Sequence, residues 1–213
     1  MILYPDRNTG AEGNMRDYHH FEQYLREPGD MLSEIERDNL ERGIAIIGPS
    51  VAKLLYMTCR MIGARKVLEL GTANGYSTIW IARAVGPGGK VIGTEFDPDT
   101  AAIAMENFRR TGVSDIASIV VGDAIKYLKN CRETFDLVFL DIEKEQYSGV
   151  LDDCVRVLRP GGVLFADNVA FDSAGDFNDR LNSHPELETS FISGQFINHD
   201  PDMDTISISR KRR

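Results

Sequence analysis

Apolar residues recur along this chain in two rhythms, and the switch between them marks out its elements. Up to about residue 63 the spacing is helical. Stretches over 16–27 and 31–47 are separated by Pro28-Gly29-Asp30. Behind Pro49, a residue suited to a first helical turn, Val51, Leu54, Leu55, Thr58 and Ile62 share one face. Gly63 ends that helix. Short apolar runs then alternate with amphipathic segments. Strands are expected at about 66–70, 90–95, 117–121, 135–141 and 162–167, and helices at about 76–85, 99–111, 123–130, 146–157 and 174–182. Pro87-Gly88-Gly89 and Arg159-Pro160-Gly161-Gly162 mark helix-to-strand turns. Val138-Phe139-Leu140 and Val163-Leu164-Phe165-Ala166 are apolar throughout, as strands covered on both faces must be. After Pro185 the alternating segments 189–193 and 205–209 read as an antiparallel pair joined by the polar loop 198–204.

This order describes an α/β chain with one mostly parallel sheet. Its 213 residues suit one domain, with 1–63 as a helical cover and 64–213 as the α/β core. A net charge of −9 disfavours a nonspecific grip on nucleic acid or an anionic membrane. The basic end Arg210-Lys211-Arg212-Arg213 is too short to reverse that balance and reads as a loose, solubilising terminus. Cys59, Cys131 and Cys154 lack metal-site or redox-motif spacing and suit a reducing compartment. The start has no basic, apolar leader and the chain no long apolar span, so a soluble cytoplasmic protein is expected. Residues 1–14 read as a flexible lead or as a cover that orders over a site.

The chemistry concentrates in Val67-Leu68-Glu69-Leu70-Gly71-Thr72-Ala73-Asn74-Gly75-Tyr76-Ser77, a buried strand, a glycine turn and a helix start. Gly71 and Gly75 stand where a side chain would hold a ligand off the backbone, or where φ must be positive. Glu69 is an acid in an apolar strand, and burying it demands a backbone amide, a ligand amine or a basic partner. The glycine spacing is not the crowded fingerprint of pyrophosphate binders, so a nucleoside cofactor without pyrophosphate fits better. Glu95, closing the second strand, is placed to accept ribose hydroxyls. Asp123 either caps the following helix or accepts from an adenine amine, and both jobs fit one position.

In these residues the chain resembles S-adenosylmethionine-dependent O-methyltransferases of the metal-dependent group that includes catechol and caffeoyl-coenzyme A enzymes. The resemblance runs from about Ile44 to Arg180. It is carried by Glu69–Ser77, Ile92-Gly93-Thr94-Glu95-Phe96-Asp97, Val121-Gly122-Asp123-Ala124, Phe139–Tyr147 and Ala166-Asp167-Asn168-Val169. It implies a Rossmann-like methyltransferase sandwich, with a seven-stranded mostly parallel sheet, a C-terminal antiparallel strand and added N-terminal helices. By position, Glu69, Gly71, Thr72 and Gly75 would receive the methionine part of S-adenosylmethionine, with Tyr76 and Ser77 at the helix start and Ser77 near its carboxylate. Glu95 would hold ribose, Phe96 would pack beside adenine, and Asp123 with Ala124 would border the base. Asp141 would touch both cofactor and metal.

The resemblance assigns Asp141, Asp167 and Asn168 as ligands of Mg²⁺ or another divalent cation. Two carboxylates and an amide at the C-terminal ends of parallel strands make a hard oxygen site where open sheets place ligands. The competing reading has both aspartates as helix caps and Asn168 in an awkward turn. Lys144 occupies the catalytic-lysine position, where its neutral form would take the proton of a substrate hydroxyl. The competing reading is a surface charge between Glu143 and Glu145. Ile142 and Glu143 depart from the catechol and caffeoyl patterns and leave the substrate wall open. The acidic loop 198–204 favours a small catechol-like or vicinal-diol acceptor over an acidic coenzyme A ester. His199-Asp200 reads either as a pocket flank or as ordinary loop solvation. The surviving alternatives are a nicotinamide dehydrogenase, a transfer RNA methyltransferase and a non-catalytic adenosylmethionine sensor. The excess apolar surface of the N-terminal helices suits either a cover over the active site or a dimer surface, and the resemblance, to enzymes that are often dimers, tips the expectation to a homodimer.

Overall fold

A computed structural model describes residues 24–25, 31–199 and 203–213. The lead over 1–14, His19-His20 and all but residues 24 and 25 of the helix expected at 16–27 lie outside the described residues. Seven strands form one sheet: β1 (Lys66–Leu70), β2 (Lys90–Glu95), β3 (Ala117–Val121), β4 (Phe135–Leu140), β5 (Leu158–Ala166), β6 (Leu187–Gln195) and β7 (Met203–Lys211). Their order is β3-β2-β1-β4-β5-β7-β6. β7 pairs antiparallel with both β5 and β6, so it alone runs against the rest. The chain reverses its winding between β1 and β4, where doubly wound sheets place their ligands.

Helices α1 (Met31–Arg42) and α2 (Gly48–Met61) precede the sheet, and α3 (Tyr76–Val85), α4 (Pro98–Arg110), α5 (Ala124–Asn130), α6 (Tyr147–Val157) and α7 (Phe177–Ser183) follow in turn. One apolar cluster joins α1, α2, α3 and α4 to one face of the sheet through Ile35, Val51, Leu55, Ile79 and Phe108. A second packs α5, α6 and α7 on the other face through Leu128, Leu151 and Phe177. Each large side chain so buried contributes about 1.5–3 kcal/mol. The central strands are therefore apolar on both sides, as their sequences require.

Several boundaries differ from the sequence expectation. The helix expected over 31–47 stops at Arg42. Gly43 takes φ +65, Gly43 N–H donates to Leu40 O and Ile44 N–H donates to Asn39 O, which together close a Schellman turn. β5 begins at Leu158 rather than 162, because the Pro160-Gly161-Gly162 run is carried as an irregular strand start beside β4. β6 and β7 each extend beyond the expected 189–193 and 205–209, since they pair from Leu187↔Lys211 to Gln195↔Met203. The basic end is not loose: Lys211 Nζ donates to Val155 O and Leu158 O, and Arg212 Nε donates to Leu187 O. Among the described residues, no helix is long and apolar enough to cross a membrane.

The glycines of the turn after β1 are required by the protein's own packing. Gly71 has φ +90, and a Cβ there would lie 2.0 Å from Asp141 O. Gly75 has φ +88, and its Cβ would meet the Phe108 ring at 2.5 Å. Gly71→Ala is expected to cost at least about 3 kcal/mol, because backbone strain and a backbone clash coincide. Urea denaturation followed by circular dichroism checks this; a loss below about 1 kcal/mol would contradict it.

Candidate functional site

A cavity of about 610 Å³ opens at the C-terminal ends of β1, β2 and β4. Of the residues singled out for the cofactor, Gly71, Thr72, Tyr76, Ser77, Glu95, Phe96, Asp123, Ala124 and Asp141 line it, as does Lys144. The irregular run Ala45-Ile46-Ile47, released by the Gly43 stop, forms another wall. Phe96 is 79% exposed at the mouth, an aromatic face available to a flat ligand. Glu95 accepts from Ala73 N–H (2.9 Å) and Asp97 N–H (3.0 Å), so its carboxylate is fixed while each oxygen retains acceptor capacity. Asp123 caps α5 through Ile125 N–H and Lys126 N–H and lines the cavity at the same time.

Glu69 and Gly75 do not line the cavity. Glu69 lies wholly buried behind the turn, where Ser77 Oγ donates to Oε1 at 2.5 Å and Thr72 Oγ1 donates to Oε2 at 3.0 Å, with Thr78 Oγ1 as a third donor. The partners that its burial demands are therefore hydroxyls. The Ser77 hydroxyl is committed to Glu69, so it is not the group that Ser77 offers to the cavity. On the other flank, the Asn39 and Asn74 side-chain amides bond each other, and Asn107 Nδ2 donates to Asn74 O, tying α1 and α4 to the turn.

Burial pushes the Glu69 carboxyl up from 4.5 to about 7, with the Asp141 charge adding to it and the three hydroxyls opposing it. The folded state then holds this proton more tightly than the unfolded chain. Its effect on stability is nil below the unfolded value and grows more unfavourable as pH rises between about 4.5 and 7. Glu69→Gln removes that share. The stability difference between variant and wild type should move in the variant's favour by up to about 3 kcal/mol across this window, read from urea midpoints. A difference independent of pH would contradict it.

The second constellation lies at the ends of β4 and β5. Asp141 N–H donates to Leu70 O and Asp167 N–H donates to Leu140 O, so the two aspartates continue adjacent parallel strands. Neither carboxylate caps a helix: the 3-10 turns that follow, Lys144–Gln146 and Asp172–Ala174, have Glu143 and Phe171 at their caps with no side-chain bond. The cap reading of both aspartates is thereby removed. Asn168 takes φ +50, a conformation asparagine tolerates better than most residues. Its Nδ2 donates to Asp204 on β7. Lys144 Nζ donates to Asp141 Oδ1 at 2.7 Å and to Ile142 O at 3.1 Å, and lies 5.3 Å from the Tyr147 ring centre. It is a partly buried lysine facing the aspartates, not a surface charge between two glutamates. The buried Tyr147 hydroxyl lies between Leu140 O (3.1 Å) and Asp167 O (3.0 Å), clamping the two strand ends together.

Two further residues join Asp167 at this edge, a grouping that the sequence spacing does not reveal. His199, 3% exposed, places Nε2 at 3.0 and 3.1 Å from the two Asp167 oxygens, and Asp204 is equally buried. Asp167, His199 and Asp204 bring donor atoms within 4.8 Å of one another, a possible metal cluster. The reading of His199 as ordinary loop solvation does not describe this buried position. Burial raises the Asp167 carboxyl above its ordinary value, reinforced by the Asp141 charge and opposed by His199 and Lys144. The donor set fits a divalent cation: three carboxylates and an amide converge where, among the described residues, one lysine and one histidine face them.

A family model described as O-methyltransferase matches residues 27–203. A catechol O-methyltransferase of Niastella koreensis is 34% identical over 176 residues, covering 80% of this chain and 79% of that protein. The bovine catechol O-methyltransferase (Bos taurus) is 32% identical over 205 residues, covering 90% of this chain and 75% of its own. Among solved structures, cofactor-bound Rv0187 from MTB superposes with a TM-score of 0.81 at 28% identity, covering 92% of this chain and 96% of that one. The chain belongs to the O-methyltransferase family, in its catechol and caffeoyl-coenzyme A branch.

Proposed function

We propose that this O-methyltransferase moves the methyl group of S-adenosylmethionine to a hydroxyl oxygen of a small catechol-like or vicinal-diol acceptor, assisted by a divalent cation such as Mg²⁺. The observation that carries the reading is the position of Asp141. It lines the cofactor-sized cavity, pairs with Lys144, and acts by its charge on Asp167. Cavity and metal edge therefore share a wall.

The cofactor supplies an electrophilic methyl group, and the cation supplies orientation and a lowered hydroxyl pKa for the acceptor. Asp141, Asp167 and Asn168 would hold that cation. Gly71 and Thr72 give the methionine part access to backbone, and the positive end of the α3 dipole, at Tyr76 and Ser77, suits its carboxylate. Glu95 accepts the ribose hydroxyls, Phe96 covers adenine, and Asp123 with Ala124 borders the base. Glu69 acts through the turn that it holds. Lys144 Nζ, after its own proton has passed to solvent, would take the acceptor's proton. Alignment across the shared wall then lowers the barrier without a covalent enzyme intermediate.

The same reading treats the chain as one cytoplasmic domain, active as a homodimer on a small molecule and not on nucleic acid. Three buried free cysteines and the net charge of −9 support it. Calorimetric titration with S-adenosylmethionine tests the cofactor half. Binding in the micromolar range is expected, with at least about a tenfold loss in Glu95→Gln, because a carboxylate accepting hydroxyls is replaced by an amide. Absence of binding in the wild type would overturn the proposal.

A further inference from the structure

The cofactor half of the site and the cation half are both tied to α1. We infer that Glu36 and Asn39 are positioning residues. From one face of that helix they hold the cofactor turn and the loop between β6 and β7 at a fixed spacing, so that methyl donor and acceptor stand in line. The inference rests on the methyl-transfer reading and adds to it two residues outside the cavity lining.

The buried stripe of α1 is Leu32, Ile35, Glu36 and Asn39, at helical spacing. A helix serving as cover alone would carry apolar side chains at all four positions, because a buried polar group adds little net stability even when bonded. Each of the two polar residues has a partner in a different half of the site. Asn39 is fully buried, and its side-chain amide and that of Asn74 bond each other. Asn74 lines the cavity, and its carbonyl accepts from Asn107 Nδ2 at 3.0 Å. Glu36 is also buried and accepts from Asn198 Nδ2 at 2.6 Å, a charge-assisted bond. Asn198 holds the left-handed φ of +51 and directly precedes His199, whose Nε2 stands 3.0 Å from Asp167. Glu36 therefore fixes the loop one residue before the imidazole that braces Asp167. Asn39, three positions along the same face, fixes the turn beneath the methionine end of the cofactor. A misplacement of about 1 Å between donor and acceptor is enough to cost about 10²-fold in rate, and a helix holds such a spacing more precisely than two loops can.

Hydrogen exchange of the full chain, read by mass spectrometry, tests the link without turnover. In the wild type, saturating S-adenosylmethionine should slow amide exchange by at least about threefold in the turn 71–75 and also in the loop 196–199. In Glu36→Ala the turn should still respond and the loop should not. Glu36→Gln, which keeps an oxygen for Asn198, should restore the loop response. Single-turnover methyl transfer at saturating cofactor should fall about 10- to 100-fold in Glu36→Ala and in Asn39→Ala. The double variant should lose no more than about threefold beyond the slower single variant, because cutting either end severs the same link. The bond from Ile197 N–H to Ser50 Oγ, 3.2 Å, is untouched in all of these and helps to keep the loop folded. Should Glu36→Ala unfold, Asn198→Gly cuts the same bond from the loop side at a φ that glycine accepts. A wild-type loop that ignores bound cofactor overturns the inference, as do single losses that multiply in the double variant. Failure of the wild type to bind S-adenosylmethionine overturns the proposed function and the inference with it. A loop that responds to cofactor in a chain that transfers no methyl group leaves the link standing and removes the function.

Discussion

Replacing Lys144 by Met should lower kcat by about 10²- to 10⁴-fold, the range of a lost general base, with S-adenosylmethionine affinity within about threefold of wild type. Both halves of the expectation come from position. Lys144 Nζ reaches Asp141 and the Ile142 carbonyl, while the opposite end of the cavity, at Glu95, Phe96 and Asp123, is built without it. Methionine preserves most of the stem's packing against Tyr147 and removes the amine. Single-turnover rates with a catechol acceptor, paired with calorimetry, read the two quantities separately. Turnover comparable to wild type across the alkaline range would show that the acceptor's proton leaves by another route.

Asp167→Asn should weaken divalent-cation binding by about 100-fold and depress turnover at subsaturating cation by a similar factor. Asparagine keeps the shape and one oxygen, so His199 retains an acceptor at this buried position. What it removes is the charge. The melting temperature measured without cation therefore separates loss of binding from loss of fold. Treatment of the wild type with a chelator should reproduce the loss of activity, and added cation should restore it in the wild type at concentrations that leave Asp167→Asn inactive. Equal activity of variant and wild type at low cation would remove Asp167 from the centre.

Much of this architecture is legible in the sequence because its signals are local. The change from helical spacing to short apolar runs after Gly63 announces the sheet, and the helix starts at Tyr76 and Ala124 follow directly from their glycine and aspartate signals. The stop at Gly43 is hidden because Ile44-Ala45-Ile46-Ile47 continues the apolar spacing. The early start of β5 is hidden because Pro160-Gly161-Gly162 reads as a turn until β4 pairs with it. The residues lining the cavity are largely visible because each sits at a strand end next to its own turn. Glu69 is visible as a buried acid, but its partners are hydroxyls on the next helix, and only the folded turn aims them inward. His199 and Asp204 are the least legible. Their meeting with Asp167 depends on β7 inserting between β5 and β6, a nonlocal pairing that no short motif encodes. The acidity of loop 198–204 was the available signal. In the sequence it reads as charge near a substrate, whereas Asp204 lies at the buried start of β7 beside Asn168.

The most direct measurement is methyl transfer by chelator-stripped protein given S-adenosylmethionine and a catechol, with and without added divalent cation, with products identified by mass spectrometry. The expected result is a monomethylated catechol, carrying its methyl on oxygen, that forms only when cation is present. Transfer at the same rate without cation would contradict the metal-assisted mechanism, and no transfer to any catechol or diol with cofactor and cation both bound would contradict the proposed function.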